Sequence, residues 1–212
     1  MERTITSIES CKGSRKRKVY VNDEFLFSLY PAELRQYELE EGSLLTEELW
    51  AEILRDALLP RAKKRVLNLL IAKDRSRKEL SERLVADGYP AETAEEAVEY
   101  AEAYHYVDDL RFAVNLLRSR QEEESSRRLS MRLNEKGISR EVIEEAFDTV
   151  REERIELMGD AFEEAEQTAL RRQIRRRTSD PASLSEKERQ KLMAALYARG
   201  FRSSDITAAL RC

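Results

Sequence analysis

Few side chains in this 212-residue sequence have the types and spacing that a catalytic or metal site requires. There is one histidine, His105, so neither an HExxH motif nor a three-histidine zinc site can form. His105 is instead expected to meet the carbonyls at a helix end. Cys11 and Cys212 are predicted to be free thiols of a reducing compartment, with one bridge between them as the alternative. Asp108 and Asp109 would diverge by about 100° on a helix, which favours a helix N-cap over a metal-binding pair.

The glycines exclude the common nucleotide and acyl-transfer sites. The closest two of the six, Gly137 and Gly159, are 22 positions apart. No GxGxxG, GxxxxGK or GxSxG motif can therefore be present. The sequence predicts a binding protein that is not an enzyme and needs no cofactor or metal.

Charge is the feature that could carry binding. The net charge is only −4, but it conceals basic runs at 12–18, 61–65 and 171–177 and acidic runs at 92–102 and 152–166. Local fields of both signs suit docking onto a mixed-charge surface or beside phosphates. A solvated helix face is the alternative for each run, but like charges four residues apart on one helix cost stability, which favours a function for the last basic run. The predicted partner- or DNA-binding residues are Arg61, Lys63, Lys64, Arg65, Arg171, Arg172, Arg175, Arg176 and Arg177.

A small sheet is predicted at the N-terminus, over residues 1–30. Apolar residues alternate from Val19 to Leu29 around Asn22-Asp23, a pair that tolerates the positive φ of a two-residue hairpin turn. A stretch with Ile5 and Ile8 is a candidate third strand. Such a ribbon must pack on helices or on a partner. A structural cap and a recognition ribbon are both open interpretations.

Connecting helices are predicted over residues 31–59. Pro31 suits the first turn of a helix and Gly42 its end. Thr46 is the expected N-cap of a second helix, and Pro60 is expected to begin the next one.

Three copies of one pattern follow. Each reads L-x₃-L-x₃-G, with matching apolar positions downstream: Leu80/Leu84/Gly88, Leu129/Leu133/Gly137 and Leu192/Leu196/Gly200. Capping boxes at Ser76-x-x-Glu79 and Ser185-x-x-Glu188 precede the first and third copies. The pattern predicts a mainly α protein of tandem three-helix repeats at 60–107, 108–153 and 154–212, the last with an insertion. We expect an elongated monomer, because stacked repeats contact only their neighbours.

No apolar run approaches the roughly 20 residues of a membrane span, and the N-terminus lacks the apolar segment of a secretion signal. A cytoplasmic location is therefore expected.

These patterns together resemble the bacterial RecX family of regulatory proteins. The resemblance rests on the hairpin VYVNDEFLFSL, on RSRKEL at 75–80, on the L-x₃-L-x₃-G-Y unit and on VDDLRFA at 107–113. It is good over roughly 17–150 and weaker over 151–212, where only the segment from Leu192 to Leu210 matches. Asn22-Asp23 stands where the family often has Asp-Gly.

The resemblance implies a non-enzymatic modulator of the recombinase RecA, acting in DNA repair and homologous recombination. Such proteins lie in the groove of the RecA–single-stranded-DNA filament and restrain its growth, ATPase and strand exchange. Two alternatives remain: a module that binds nucleic acid directly, and a generic helical adaptor. The basic runs contain few aromatic residues that could stack on bases, which argues against a dedicated single-strand binder.

Overall fold

The computed structural model describes residues 3–10, 13–158, 164–178, 180–199 and 201–210. Its elements in chain order are β1 (Ile5–Ser10), β2 (Arg17–Val21), β3 (Glu24–Leu29), α1 (Pro31–Gln36), α2 (Glu47–Ile53), a π-helical turn (Leu54–Leu58), α3 (Leu59–Ala72), α4 (Arg77–Ala86), α5 (Ala91–Ala103), α6 (Asp109–Arg120), α7 (Ser126–Glu135), α8 (Arg140–Met158), α9 (Glu164–Arg175), a 3₁₀ turn (Pro181–Ser183), α10 (Glu186–Tyr197) and α11 (Ser203–Ala209). The predicted fold class, mainly helical with a small N-terminal sheet, is confirmed. Cys11, Lys12, Gly159, Gly200 and Cys212, on which several predictions depended, lie outside the described residues, as does part of the acidic run at 152–166.

The N-terminal sheet is antiparallel, in the order β1-β2-β3. Asn22 and Asp23 have φ values of 50° and 68°, which is the conformation of the predicted hairpin turn. The predicted third strand is β1, which pairs with β2. One face of the sheet packs on α1, α2 and the turn after α2 around a core that includes Phe27 and Ile53, so the ribbon does rest on helices.

The end of α1 differs from its prediction. The helix ends at Gln36, not at Gly42, because Glu38 takes the left-handed position with a φ of 53°. The N–H of Leu39 then donates to the carbonyl of Leu34 at 2.9 Å, which closes a Schellman motif. Leu39 is buried, and its burial compensates for a non-glycine residue at positive φ.

No break separates α2 from α3. Thr46 caps α2 as predicted, accepting from the N–H of Leu49. Pro60 stands in the first turn of α3, but a π-helical turn joins that helix to α2, with the N–H of Leu59 donating to Leu54. Pro60 has no N–H to donate, and the π-helical turn before it lets the helix continue through this position.

The three repeats have the predicted local geometry. Gly88 and Gly137 end their helices at φ values of 91° and 80°. In each repeat the residue after the glycine donates to the second leucine of the pattern: Tyr89 to Leu84, Ile138 to Leu133 and Phe201 to Leu196. Both predicted capping boxes are present. Each repeat has its own hydrophobic core, formed by α3–α5, α6–α8 and α9–α11.

The chain divides into two compact units, Met1–Asp108 and Asp109–Cys212. The first holds the sheet, the connecting helices and repeat 1, and the second holds repeats 2 and 3.

Helix α6 begins at Asp109, which places Asp108 at the predicted N-cap position. His105 is exposed, and its backbone has a φ of 58° and an N–H that donates to the carbonyl of Glu102 at 2.8 Å, at the end of α5.

Candidate interaction surfaces

Arg61 belongs to the interior of the first unit. We call Arg61, Lys63, Lys64 and Arg65 the α3 basic stretch. The side chain of Arg61 is only 17% exposed, and its Nη2 lies 2.9 Å from Oε1 of Glu33. Its guanidinium carbon lies 5.1 Å from the centre of the Tyr30 ring. Arg61 therefore joins α3 to the start of α1 through an ion pair within the first unit.

The other three members of the α3 basic stretch point to different surroundings. The Nε of Arg65 is 2.7 Å from Oδ2 of Asp87, at the end of α4. Lys63 lies over the Tyr100 ring of α5, with its Nζ 4.6 Å from the ring centre. Lys64 is exposed and makes no ion pair within the described part of the chain. The structure thus disperses this predicted site, because residues on one helix face different neighbours.

The five arginines at 171–177 are exposed, and we call them the α9 basic stretch. Arg171, Arg172, Arg175 and Arg176 border a shallow cavity of about 490 Å³ with Thr168. Two of these four are paired with carboxylates. Arg172 lies 3.4 Å from Glu122, and Arg176 lies 4.0 Å from Glu123.

The turn at 121–124, after α6, supplies these carboxylates. It is held by Gln173, a buried side chain of α9 whose Nε2 donates to the carbonyl of Glu123 at 3.0 Å. Gln173 in turn accepts from Arg199. Arg171, Arg175 and Arg177 make no ion pair with any described residue. The α9 basic stretch therefore keeps three cations that no described carboxylate pairs with, and two of them, Arg171 and Arg175, border the same cavity.

A third basic site was not predicted from the sequence. We call it the Lys16 pocket, a cavity of about 360 Å³ lined by Ser14, Lys16, Ser28, Arg65, Ala86, Asp87 and Tyr89. The Nζ of Lys16 lies 5.0 Å from the centre of the Tyr89 ring and 5.9 Å from that of Tyr30. Burial, followed by the charge of Arg61, lowers the pKa of Lys16 below its ordinary value.

In the sequence, Lys16 is only one of the charges of the basic run at 12–18. Its pocket is assembled from the loop before β2, the end of β3, α3 and the α4–α5 turn. No spacing along the chain connects these segments, so the sequence carried no signal for the site.

Three carboxylates of the acidic run on α5 share one arginine of the same repeat. Arg77 of α4 contacts Glu95 at 2.8 Å, Glu99 at 3.5 Å and also Glu102. A hydrogen bond from the Ser81 hydroxyl, together with Arg77, holds the pKa of Glu95 below its ordinary value. Arg77 therefore links α4 to the acidic face of α5, which keeps a net negative charge.

The described residues contain no cluster of three or more His, Cys, Asp or Glu side chains that could hold a metal ion. Among the same residues, no helix is long and apolar enough to cross a membrane.

Comparison with protein families matches all three repeats separately. The first three-helix domain of RecX matches residues 62–100, the second matches 108–146 and the third matches 164–210. Together these ranges cover more than half of the sequence.

Curated relatives match nearly end to end. The regulatory protein RecX of Caldanaerobacter subterraneus is 27% identical over 207 residues, 97% of this chain and 98% of its own length. That of Clostridioides difficile is 29% identical over 192 residues, 89% of this chain and 87% of its own length.

Two solved structures share the fold. A crystal structure of a regulatory protein RecX superposes with a TM-score of 0.60 at 20% identity, covering 99% of this chain and 100% of the other. RecX from Lactobacillus salivarius superposes with a TM-score of 0.56 at 16% identity, covering 73% of this chain and 95% of the other.

Proposed function

This chain belongs to the RecX family, and we propose that it is a regulator that binds the RecA–single-stranded-DNA filament and restrains its assembly, ATPase and strand exchange. The observation that carries the proposal is the presence of all three RecX domains in order along one chain. The partner follows from the family resemblance. Regulation by binding also agrees with a molecule whose distinctive surfaces are charged and exposed.

We assign the filament contact to the α9 basic stretch and not to the α3 basic stretch. A cation that already neutralises a partly buried carboxylate gains little from a second anion, and removing it would leave that carboxylate unpaired. Arg61 and Arg65 are in this position. Arg171, Arg175 and Arg177 are exposed and free of carboxylates among the described residues, so an acidic or phosphate-bearing partner can use their full charge.

The test is a charge reversal confined to the free cations. The variant Arg171→Glu/Arg175→Glu/Arg177→Glu should need at least about 10-fold more protein for half-inhibition of the RecA ATPase on single-stranded DNA. The matched control is Arg151→Glu/Lys187→Glu/Lys191→Glu, three exposed cations of the same unit with the same total change in charge. It should inhibit within about twofold of the wild type.

Two results would contradict the proposal. A wild-type protein without effect on RecA at any concentration would refute filament regulation. A folded α9 variant that inhibits as well as the control would remove the α9 basic stretch from the contact, while leaving the regulatory function in place. Binding to bare DNA is measured in parallel, because inhibition only at concentrations that coat the DNA would favour a direct nucleic-acid-binding module instead.

A further inference from the structure

The Lys16 pocket holds more positive charge than its carboxylates can neutralise. Both oxygens of Asp87 are occupied, one by Arg65 at 2.7 Å and the other by Arg83 at 3.1 Å. Lys16 has no carboxylate within ion-pair distance among the described residues, although its side chain is partly buried. An uncompensated cation in this setting is a binding site for an anion.

The neighbouring ion pair cannot supply the missing charge. One oxygen of Glu33 is held by Arg61, and the other accepts the N–H of Tyr30 at 2.7 Å in the cap of α1. The Nη1 of Arg61 is itself buried without a hydrogen-bond partner. Each oxygen of the two nearby carboxylates therefore already has a partner, while the Nη1 of Arg61 has none.

The other groups around the pocket suit a tetrahedral oxyanion. Ser14, Ser28 and Tyr89, which carry hydroxyl groups, line it together with Lys16. Hydroxyl and ammonium groups are donors from which the oxygens of a phosphate accept hydrogen bonds. Gly88 keeps the space open, because a Cβ at this position would lie 3.1 Å from the Ser28 Oγ.

Two exposed aromatic rings lie beside the Lys16 pocket. Phe25 and Tyr30 are each 40% exposed, and Tyr30 lies against Lys16 and Arg61. Phe25 reaches Gly88 at the pocket and carries Lys18 over its ring at 5.6 Å. Interleaved rings and cations are typical of surfaces that bind single-stranded nucleic acid, with bases stacked on rings and the backbone following the charge. The aromatics that were scarce in the basic runs of the sequence are supplied here by the fold.

We propose that the Lys16 pocket binds a backbone phosphate of single-stranded DNA, with Phe25 and Tyr30 placed to stack on the adjoining bases. The inference deepens the proposed function, because it names a DNA-contacting site in a protein assigned to a nucleoprotein filament. It assigns to the N-terminal hairpin a recognition role in addition to its packing.

The experiment uses the full chain and a fluorescent 20-nucleotide oligo(dT) in low salt, without RecA. Lys16→Gln should weaken binding about fivefold or more and reduce the slope of log affinity against log salt by about 0.7, the value for one lost phosphate contact. Lys73→Gln, which removes an exposed lysine of the same unit with no ion pair among the described residues, should change affinity less than twofold. Phe25→Ser should weaken binding by about fivefold or more through lost stacking.

Two further measurements keep the proposal falsifiable if Lys16→Gln folds poorly. Lys16→Arg retains the cation and should retain binding. Inorganic phosphate, compared with chloride at equal ionic strength, should compete with oligo(dT) on the wild type and much less on Lys16→Gln.

Three outcomes would overturn the proposal. The first is equal loss in Lys16→Gln and Lys73→Gln. The second is polyglutamate, and not phosphate, as the competitor that depends on Lys16, which would make the pocket a receptor for an acidic protein segment. The third is a wild type that does not bind oligo(dT). In that last case the RecA ATPase assay would still test filament regulation, so the proposed function and the proposed DNA site can fail independently.

Discussion

The α3 and α9 basic stretches are close to indistinguishable as sequence, with four cations in five residues and five cations in seven. In the first unit, two of the four are ion-paired to carboxylates of other elements and a third covers a tyrosine ring. In the second unit, all five are exposed, and two are ion-paired to glutamates of the turn at 121–124. The number of cations in a run thus gives little information about whether they hold the fold together or face a partner. What separates the two cases is how many carboxylates the surrounding elements bring within reach.

The largest expected effect tests whether Arg61 is structural. Arg61→Met should lower the free energy of unfolding by about 2–3 kcal/mol, because Glu33 is left partly buried without its partner. Arg175→Met, at an exposed position of α9, should change it by no more than about 0.5 kcal/mol. Urea unfolding of both variants measures the difference, and equal midpoints would mean that the two stretches do not differ as described.

A second comparison uses the equivalent glycines of the two units. Gly137→Val should destabilise by about 1–2 kcal/mol, because a β-branched residue fits the left-handed conformation poorly. Gly88→Val should cost more, since its side chain would also meet Ser28 of the sheet. An unchanged urea midpoint for Gly137→Val would show that the glycine is not needed as a helix cap.

The acidic turn of the second unit offers a smaller and opposite effect. Glu122→Gln/Glu123→Gln should release Arg172 and Arg176 and lower the concentration for half-inhibition of RecA by about two- to threefold, as expected for exposed ion pairs. The RecA ATPase assay measures this change. Weaker inhibition by this variant would indicate that the turn itself, and not the arginines, faces the partner.

The smallest effect concerns pH and the first unit. Glu95 has a pKa below its ordinary value in the folded protein, because Ser81 and Arg77 favour the carboxylate. A lowered pKa contributes stability above the unfolded value, and this contribution is lost as the pH falls through the folded value. The urea midpoint of the wild type should exceed that of Glu95→Gln near neutral pH, and the two should converge in acid. A constant difference across this range would show that the charge of Glu95 is not involved.

Local features of the fold were predictable from the sequence because their partners lie within a few residues. The hairpin turn at Asn22-Asp23 and the caps at Thr46, Ser76 and Ser185 depend on bonds over two to four positions, and all were found. The predicted end of α1 at Gly42 was wrong, because hydrogen bonds within a few residues of Gln36 end the helix earlier. Gly42 does take a positive φ, of 85°, but Glu38 and the buried Leu39 end the helix first.

The site residues were harder to predict, because charge alone does not reveal a partner. Arg61 and Lys64 are three positions apart, yet one is mostly buried and the other exposed. The Lys16 pocket gave no sequence signal at all. The assignment of both basic stretches to partner binding is untested and stays a prediction, as do the boundaries of the repeats.

The sequence by itself determined the repeating three-helix units, their caps and the small sheet, since helical period, capping residues and turn residues all act over a few positions. Only the tertiary structure decided which cations are free. Arg61 and Glu33 are 28 residues apart, Arg65 and Asp87 are 22 apart, and Arg172 and Glu122 are 50 apart. Such pairs form only after the hydrophobic cores have fixed the elements that carry them, and no local pattern along the chain encodes those distances.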